Sequence, residues 1–353
     1  ALIPTLPGRA HMPETRTASP SHPDSEPGGP APAADISPSE VSYSRVIRSV
    51  LIFAVVGAVL YATATLASDY HTTIKALASF PLKLLFLVLL LVVIGWVLRG
   101  WRFAYYLEQV GHKLPFGYAL AVFLASFALT GTPGKMGEAA KGVFLKEDYG
   151  ISFTRVIGIL VVERLMDLWG VLLLASFSFL LFSEWRGAFF ICAAAVVFGG
   201  IFLSMERVYR PVLERIGRIP VLAWPAQKLL GVLLTGRELM TLKIFLVGLV
   251  ISTVAWGLES VSLYLVLRGL DLSVTLLEAN FAYSFSTLVG ALSMLPGGIG
   301  GTEAGMVGIL AFLGIGYSSA LPAVLLIRVC TLWFAILVGI VFMAFLISRS
   351  GKR

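Results

Sequence analysis

The chain has 353 residues, of which 58% are hydrophobic and only 13% charged, with a mean hydropathy of +0.89. Soluble domains carry about 25% charged residues, so composition excludes an ordinary soluble globular protein and indicates a polytopic membrane protein. The net charge of +7 is distributed among the segments between apolar runs, which reads as membrane topology and gives no nucleic-acid partner.

Residues 1–44 are rich in Pro, Ser, Ala and Gly and hold almost no large apolar residues. They are expected to form a disordered tail. Residues 1–11 read as an expression remnant, with Met12 as the natural start and no signal peptide. Apolar runs then predict full spans at about 46–67, 83–107, 156–182, 187–204, 243–267 and 320–347, each near the roughly 20 residues that cross a bilayer. Two further apolar stretches, 116–131 and 276–294, run into Gly/Pro-rich motifs. The segments that follow, 136–148 and 302–314, are too short to span. Each such pair is predicted to be a re-entrant hairpin of two half-helices, which is tolerated at membrane depth only inside protein or along a cavity.

Orientation follows from Lys and Arg. With the N-terminus inside, 19 basic residues, including Arg99, Arg102, Lys135 and Lys141, fall on the cytoplasmic side and four fall outside. The segment 205–240 reads as a basic cytoplasmic connector lying on anionic lipid. The expected fold is all-α: six full spans plus two re-entrant hairpins, in two inverted repeats. Repeat one covers 45–182, repeat two 183–348, and 349–353 is a tail. Both termini are expected to be cytoplasmic, in a bacterial inner membrane.

The chemistry lies in a motif that occurs twice. Around Pro133 the chain reads G-T-P-G-K-M-G-E, ending at Glu138; around Pro296 it reads L-P-G-G-I-G-G-T-E, ending at Glu303. V-E-R-L-M-D-L-W follows the first and L-I-R-V-C-T-L-W the second, placing Arg164 and Arg328 inside apolar helices. Arg164 is expected about 13 Å deep from the cytoplasmic face, at 1.5 Å per residue, and Arg328 about as deep from the other. A guanidinium in hydrocarbon needs a partner or a wet cavity. The expected partners are Glu138 and Glu303. Each pair reads either as a structural lock or as an anion site in which Arg takes a headgroup phosphate, and the two are compatible.

Gly134, Gly137, Gly297, Gly298, Gly300 and Gly301 either expose half-helix N-termini to phosphate or simply make tight turns. Lys135 and Lys141 add positive charge to the cytoplasmic motif and suggest capture from inside. Glu163 and Asp167 share a helix face; they read as neutralising Arg164, Arg155 or Arg102, or as binding a cationic headgroup or a proton. Glu259 reads either as pathway-lining or as pairing locally. Cys192 and Cys330 read as inert core thiols. None of the four His lies deep in an apolar run, so no metal site is expected. No catalytic motif and no cofactor site are read, and the chain is not expected to be an enzyme.

These residues carry a resemblance. P-G-K-M-G-E-A-A-K with V-E-R-L-M-D-L, and L-P-G-G-I-G-G-T-E-A-G with L-I-R-V, resemble the flippase-like transmembrane domain of bacterial lysylphosphatidylglycerol synthases across about 45–348. In that family the domain carries an aminoacylated phospholipid from the inner to the outer leaflet. A soluble domain using aminoacyl-tRNA follows it there; here only a few residues follow the last span, so the resemblance implies a stand-alone member without the aminoacyltransferase domain. The implied function is movement of a phospholipid, or another anionic or zwitterionic lipid, between leaflets. Membrane phospholipids are the implied partners; a second copy of the chain and a separate lipid-modifying enzyme are further candidates. Two alternatives stay open: a secondary transporter of a soluble anion, because broken helices in inverted repeats also serve that role, and an accessory protein in lipid or glycolipid biosynthesis.

Overall fold

A computed structural model describes residues 74–75, 77–130, 140–177, 186–293 and 295–350. The N-terminal tail, the first predicted span at 46–67, the Gly131–Glu138 stretch with Gly134, Lys135 and Gly137, and residues 351–353 lie outside the described residues.

The described residues are helical, with no strand among them. In chain order they form α1 (Leu82–Gln109), α2 (Phe116–Ala125) continued by a 3-10 turn (Ser126–Leu129), α3 (Ala140–Tyr149), α4 (Phe153–Phe177), α5 (Arg186–Ser204), α6 (Glu206–Ile216) and α7 (Pro220–Glu238). Then come α8 (Leu242–Gly269), α9 (Leu276–Leu292), a 3-10 turn (Pro296–Gly298), α10 (Gly301–Phe312), α11 (Tyr317–Arg328), a π-helical segment (Val329–Trp333) and α12 (Phe334–Ser350). Among the described residues, three continuous helices are long and apolar enough to cross a membrane: 82–109, 242–269 and 317–349. Their outer faces carry exposed apolar stripes, Leu82, Phe86, Leu90, Ile94 and Val97 on α1 and Leu337, Val341 and Phe345 on α12. Water would not tolerate such stripes, whereas lipid does. The chain is an all-α, multi-pass membrane protein.

The organising contact is between α1 and α8, both 28 residues long. They cross where Gly95 meets Ala255: a Cβ on Gly95 would stand 3.4 Å from the Ala255 carbonyl oxygen. Further along, Tyr106 lies on Gly248; in the other direction, Leu84 packs on Gly269. Contacts that advance along α1 while receding along α8 mean the helices run antiparallel. Corresponding residues meet at this crossing. Gly95, Trp96 and Arg99 are spaced like Ala255, Trp256 and Glu259, and Arg99 and Glu259 are 160 residues apart.

The same offset continues past the helix ends. Gly111 (φ 88°) closes α1 and Asp271 (φ 58°) closes α8, each in the left-handed conformation. His112 N–H donates to Leu107 O at 2.8 Å and Leu272 N–H to Leu267 O at 3.0 Å. This is the Schellman closure of a helix C-terminus. The next helices begin at Phe116 and Leu276. After α10 the closure recurs at Gly314 (φ 86°), with Ile315 N–H donating to Leu310 O, and α3 also ends on a left-handed glycine, Gly150 (φ 68°).

Both hairpins fold back on themselves. In the second, α9 and α10 lie antiparallel, with Gly290 against Thr302 and Gly305 against Ser286. In the first, Tyr118 on α2 donates to Asp148 Oδ2 on α3 at 2.5 Å. Each hairpin leans on a long helix from the other part of the chain. α2 and its 3-10 turn pack on α12, where Gly339 meets the backbone of Phe127 and Ala128. α9 packs on α4, where Asn280 Nδ2 donates to Leu174 O at 2.8 Å. The 205–240 connector is a folded pair, α6 on α7, and α7 packs along α4: Gly231 meets Thr154, and Gly158 meets Thr235. Small residues on both helices let the backbones approach.

The crossing gives a direct check. Replacing Gly95 and Ala255 by Cys, with Cys192 and Cys330 changed to Ser, is expected to yield an intramolecular disulfide under mild oxidation. The cross-link should hold the halves together after proteolysis in the connector. Fragments that separate without reductant would refute the antiparallel crossing.

Candidate functional site

Burying a guanidinium without a counter-charge costs several kcal/mol, so the ion pairs define the interior. Arg102 on α1 is fully buried. Its Nη1 donates to Asp167 Oδ1 on α4 at 2.7 Å, and Ser252 on α8 joins the same cluster. Glu163 Oε1 stands 3.9 Å from Arg102 Nη2, and Glu163 Oε2 accepts from Lys141 Nζ at 3.0 Å. The Lys141 ammonium also lies over the rings of Phe103 and Phe123, 4.7 and 4.5 Å from their centroids. Arg164 Nη2 lies 3.0 Å from Asp167 Oδ2. Asp167 therefore serves both Arg102 and Arg164.

The second hairpin makes its own site. Its turn reverses within four residues, with Gly297 at φ 60°, Gly298 at φ 69° and Gly300 at φ 86°. An L side chain is strained at each of these angles. Glu303 Oε2 accepts the Gly300 N–H at 2.8 Å, capping α10, and Glu303 Oε1 accepts from Arg328 Nε at 2.7 Å. Arg328 Nη2 donates to Gly297 O at 2.8 Å. One N-terminal donor of this half-helix is thus satisfied by the chain's own carboxylate, and the glycines serve the turn. Gly301 packs against Ser293.

A third pair joins α1 to α8. Arg99 Nη2 donates to Glu259 Oε1 at 2.7 Å, and the Arg99 guanidinium lies 4.3 Å from the ring centroid of Trp256. Tyr283 on α9 donates to the other Glu259 oxygen.

These groups surround one cavity of about 330 Å³. Arg99, Lys141, Arg164, Arg328, Asp167 and Glu259 line it, with Trp96, Phe127, Leu295 and Leu332 among its apolar walls and Gly297 and Gly298 at one edge. The structure therefore gathers Arg164, Arg328, Lys141, Asp167, Glu259, Gly297 and Gly298 around a shared space. Glu163 stands behind Lys141, and Glu303 behind Arg328. Gly300 and Gly301 belong to the turn.

Three sequence-based assignments change. Arg99, Arg102 and Lys141, counted as cytoplasmic charges, are buried at 9%, 0% and 1% exposure. α1 continues ten residues beyond Arg99 to Gln109, so at 1.5 Å per residue Arg99 lies about 15 Å inside the helix end. Lys141 is held by Glu163 and two rings, so it does not stand open for capture. Arg155 donates to Val110 O at 3.2 Å and contacts His112, leaving Glu163 and Asp167 to Arg102, Lys141 and Arg164. Arg99, Trp96 and Trp256 escaped sequence reasoning as site residues. Their signal was present as G-W-x-x-R and A-W-x-x-E at the 160-residue offset.

The family described as "Lysylphosphatidylglycerol synthase TM region" matches residues 46–339. A UPF0104 membrane protein of Methanocaldococcus jannaschii is 23% identical over 230 residues, covering 62% of this chain and 93% of that protein. One from Pyrococcus horikoshii is 24% identical over 295 residues, covering 76% and 88%. One from Methanothermobacter thermautotrophicus is 26% identical over 144 residues, covering 38% and 43%.

Asp167→Ala is expected to lower stability by about 3–5 kcal/mol, because it strips the main partner from a fully buried guanidinium. Thermal unfolding in detergent should show it, and Arg102→Leu together with Asp167→Leu should recover much of the loss. An unchanged midpoint in the single variant would mean that Glu163 alone suffices for Arg102.

Proposed function

Because this chain belongs to the lysylphosphatidylglycerol synthase transmembrane-region family, we propose that it carries phospholipid headgroups between the leaflets of its membrane. The observation that carries this reading is the shared cavity, in which Arg164 from one half and Arg328 from the other face the same space. Planar guanidinium forks suit a phosphate, which they grip by two parallel hydrogen bonds. A space of about 330 Å³ lies at the small end of ligand pockets and suits a headgroup rather than a whole lipid. The acyl chains would stay in the bilayer beside the apolar outer faces.

The antiparallel crossing of corresponding helices supports an inverted repeat, so that the two arginine sites approach the cavity from opposite leaflets. The membrane we assign is a cytoplasmic membrane with both termini inside. The connector's Arg207, Arg215 and Arg218 are consistent with that sidedness. In this reading the protein moves its substrate without making or breaking a bond. Phospholipid is the partner, and the remaining role of Glu303 is to orient Arg328 until phosphate arrives.

Purified protein in liposomes is expected to move a fluorescent phosphatidylglycerol between leaflets, read as loss of protection from a membrane-impermeant quencher. Arg164→Lys and Arg328→Lys should each slow this about tenfold or more, because an ammonium keeps the charge but loses the fork. Wild-type rates in both folded variants would mean that the headgroup is read elsewhere. Uptake of soluble glycerol phosphate without lipid movement would favour the soluble-anion carrier instead.

A further inference from the structure

Arg99 faces the cavity, whereas Arg102 lies apart from it. Arg99 is hydrogen-bonded through one nitrogen. Its Nη2 meets Glu259, but its Nε has no hydrogen-bond partner although the side chain is only 10% exposed. A guanidinium carries five N–H donors, and the Glu259 bond engages one nitrogen of the fork. Trp256 packs on its face and fixes its plane.

Its position is also distinct. Asp167, the partner of Arg164, lies within electrostatic reach of Arg99, and so does Tyr283, which also senses Arg328. Arg99 thus lines the same cavity as Arg164 and Arg328, beside the α1–α8 crossing. An anion passing between those sites without help would cross low-dielectric space, where an unpaired charge is very costly. Pathways that conduct ions solve this with adjacent sites, each strong enough to enter and weak enough to leave. Glu259 supplies the weakening. Its Oε1 accepts from Arg99, and its other oxygen accepts from Tyr283.

Resting on the lipid-carrier reading, we propose that Arg99 is a third phosphate-binding residue in the cavity that Arg164 and Arg328 also line, and that Glu259 is the carboxylate a passing phosphate displaces from it. The recognised chemistry is a phosphate anion, which a lipid headgroup and a soluble phosphate ester share.

Two measurements on the full-length protein test this. In liposomes, the double variant Arg99→Gln with Glu259→Gln retains an amide pair across the crossing. It is expected to keep its thermal midpoint but to move fluorescent phosphatidylglycerol about 10- to 100-fold more slowly, the equivalent of one charge-assisted hydrogen bond. In detergent, Glu259→Gln alone should bind dihexanoyl phosphatidylglycerol about tenfold more tightly, since the phosphate no longer competes with a carboxylate. A folded double variant that moves lipid at the wild-type rate overturns the station. So does an unchanged affinity in Glu259→Gln, which decides the matter even if the double variant fails to fold. Wild-type protein that moves no lipid overturns the carrier reading instead, and the Glu259→Gln affinity then still decides whether Arg99 is an anion site. The same Glu259 dependence for glycerol 3-phosphate, with none for the short-chain lipid, would overturn the lipid source.

Discussion

No cation can rest at bilayer depth without a counter-charge or water, and this constraint arranges the molecule. Five basic side chains, Arg99, Arg102, Lys141, Arg164 and Arg328, are met by four carboxylates, Glu163, Asp167, Glu259 and Glu303. Every one of these pairs except Arg164–Asp167 bridges different helices. The charges therefore act as rivets between α1, α3, α4, α8, α10 and α11, in a bundle whose outer surface offers only dispersion contacts with lipid.

The rivets differ in what they leave exposed. Arg102 is fully enclosed where α1, α4 and α8 meet, and it makes that three-helix junction specific. Lys141 fixes the first hairpin to α4 through Glu163 and fills the space between Phe103 and Phe123. Arg99, Arg164 and Arg328 keep an edge toward the cavity, with side-chain exposures of 10%, 30% and 11%. The same type of interaction thus holds the bundle in one layer and faces the passage in the next.

Much of this was legible in the sequence, and the failures share a cause. Helix positions followed from apolar run length, and the Glu303–Arg328 pair followed from a Gly/Pro break with a single carboxylate and a single downstream arginine. The burial of Arg99 and Arg102 did not. A basic residue near the end of an apolar run looks like a topology marker unless its partner is known, and here the partners lie 160 and 65 residues away. No local periodicity reports such a distance. The repeated tryptophan, at 96 and 256, was the accessible clue, because an indole recurring in register marks the point where two copies of a motif touch. The π-helical segment after Arg328 had no such clue: its residues, V-C-T-L-W, have the same apolar character as the regular helix on either side.

The exchange of hairpins between the two parts of the chain bears on how the protein is made. The first hairpin rests on α12, where Gly339 meets Ala128, so its neighbour is encoded roughly two hundred residues later. At synthesis rates of about 5–20 residues per second, that neighbour emerges on the order of 10–40 seconds after the hairpin. Throughout that interval a short, interrupted helix pair sits in the bilayer without the surface that finally covers it. Neither part is a self-sufficient folding unit. When α12 is made, it closes over an element inserted long before it.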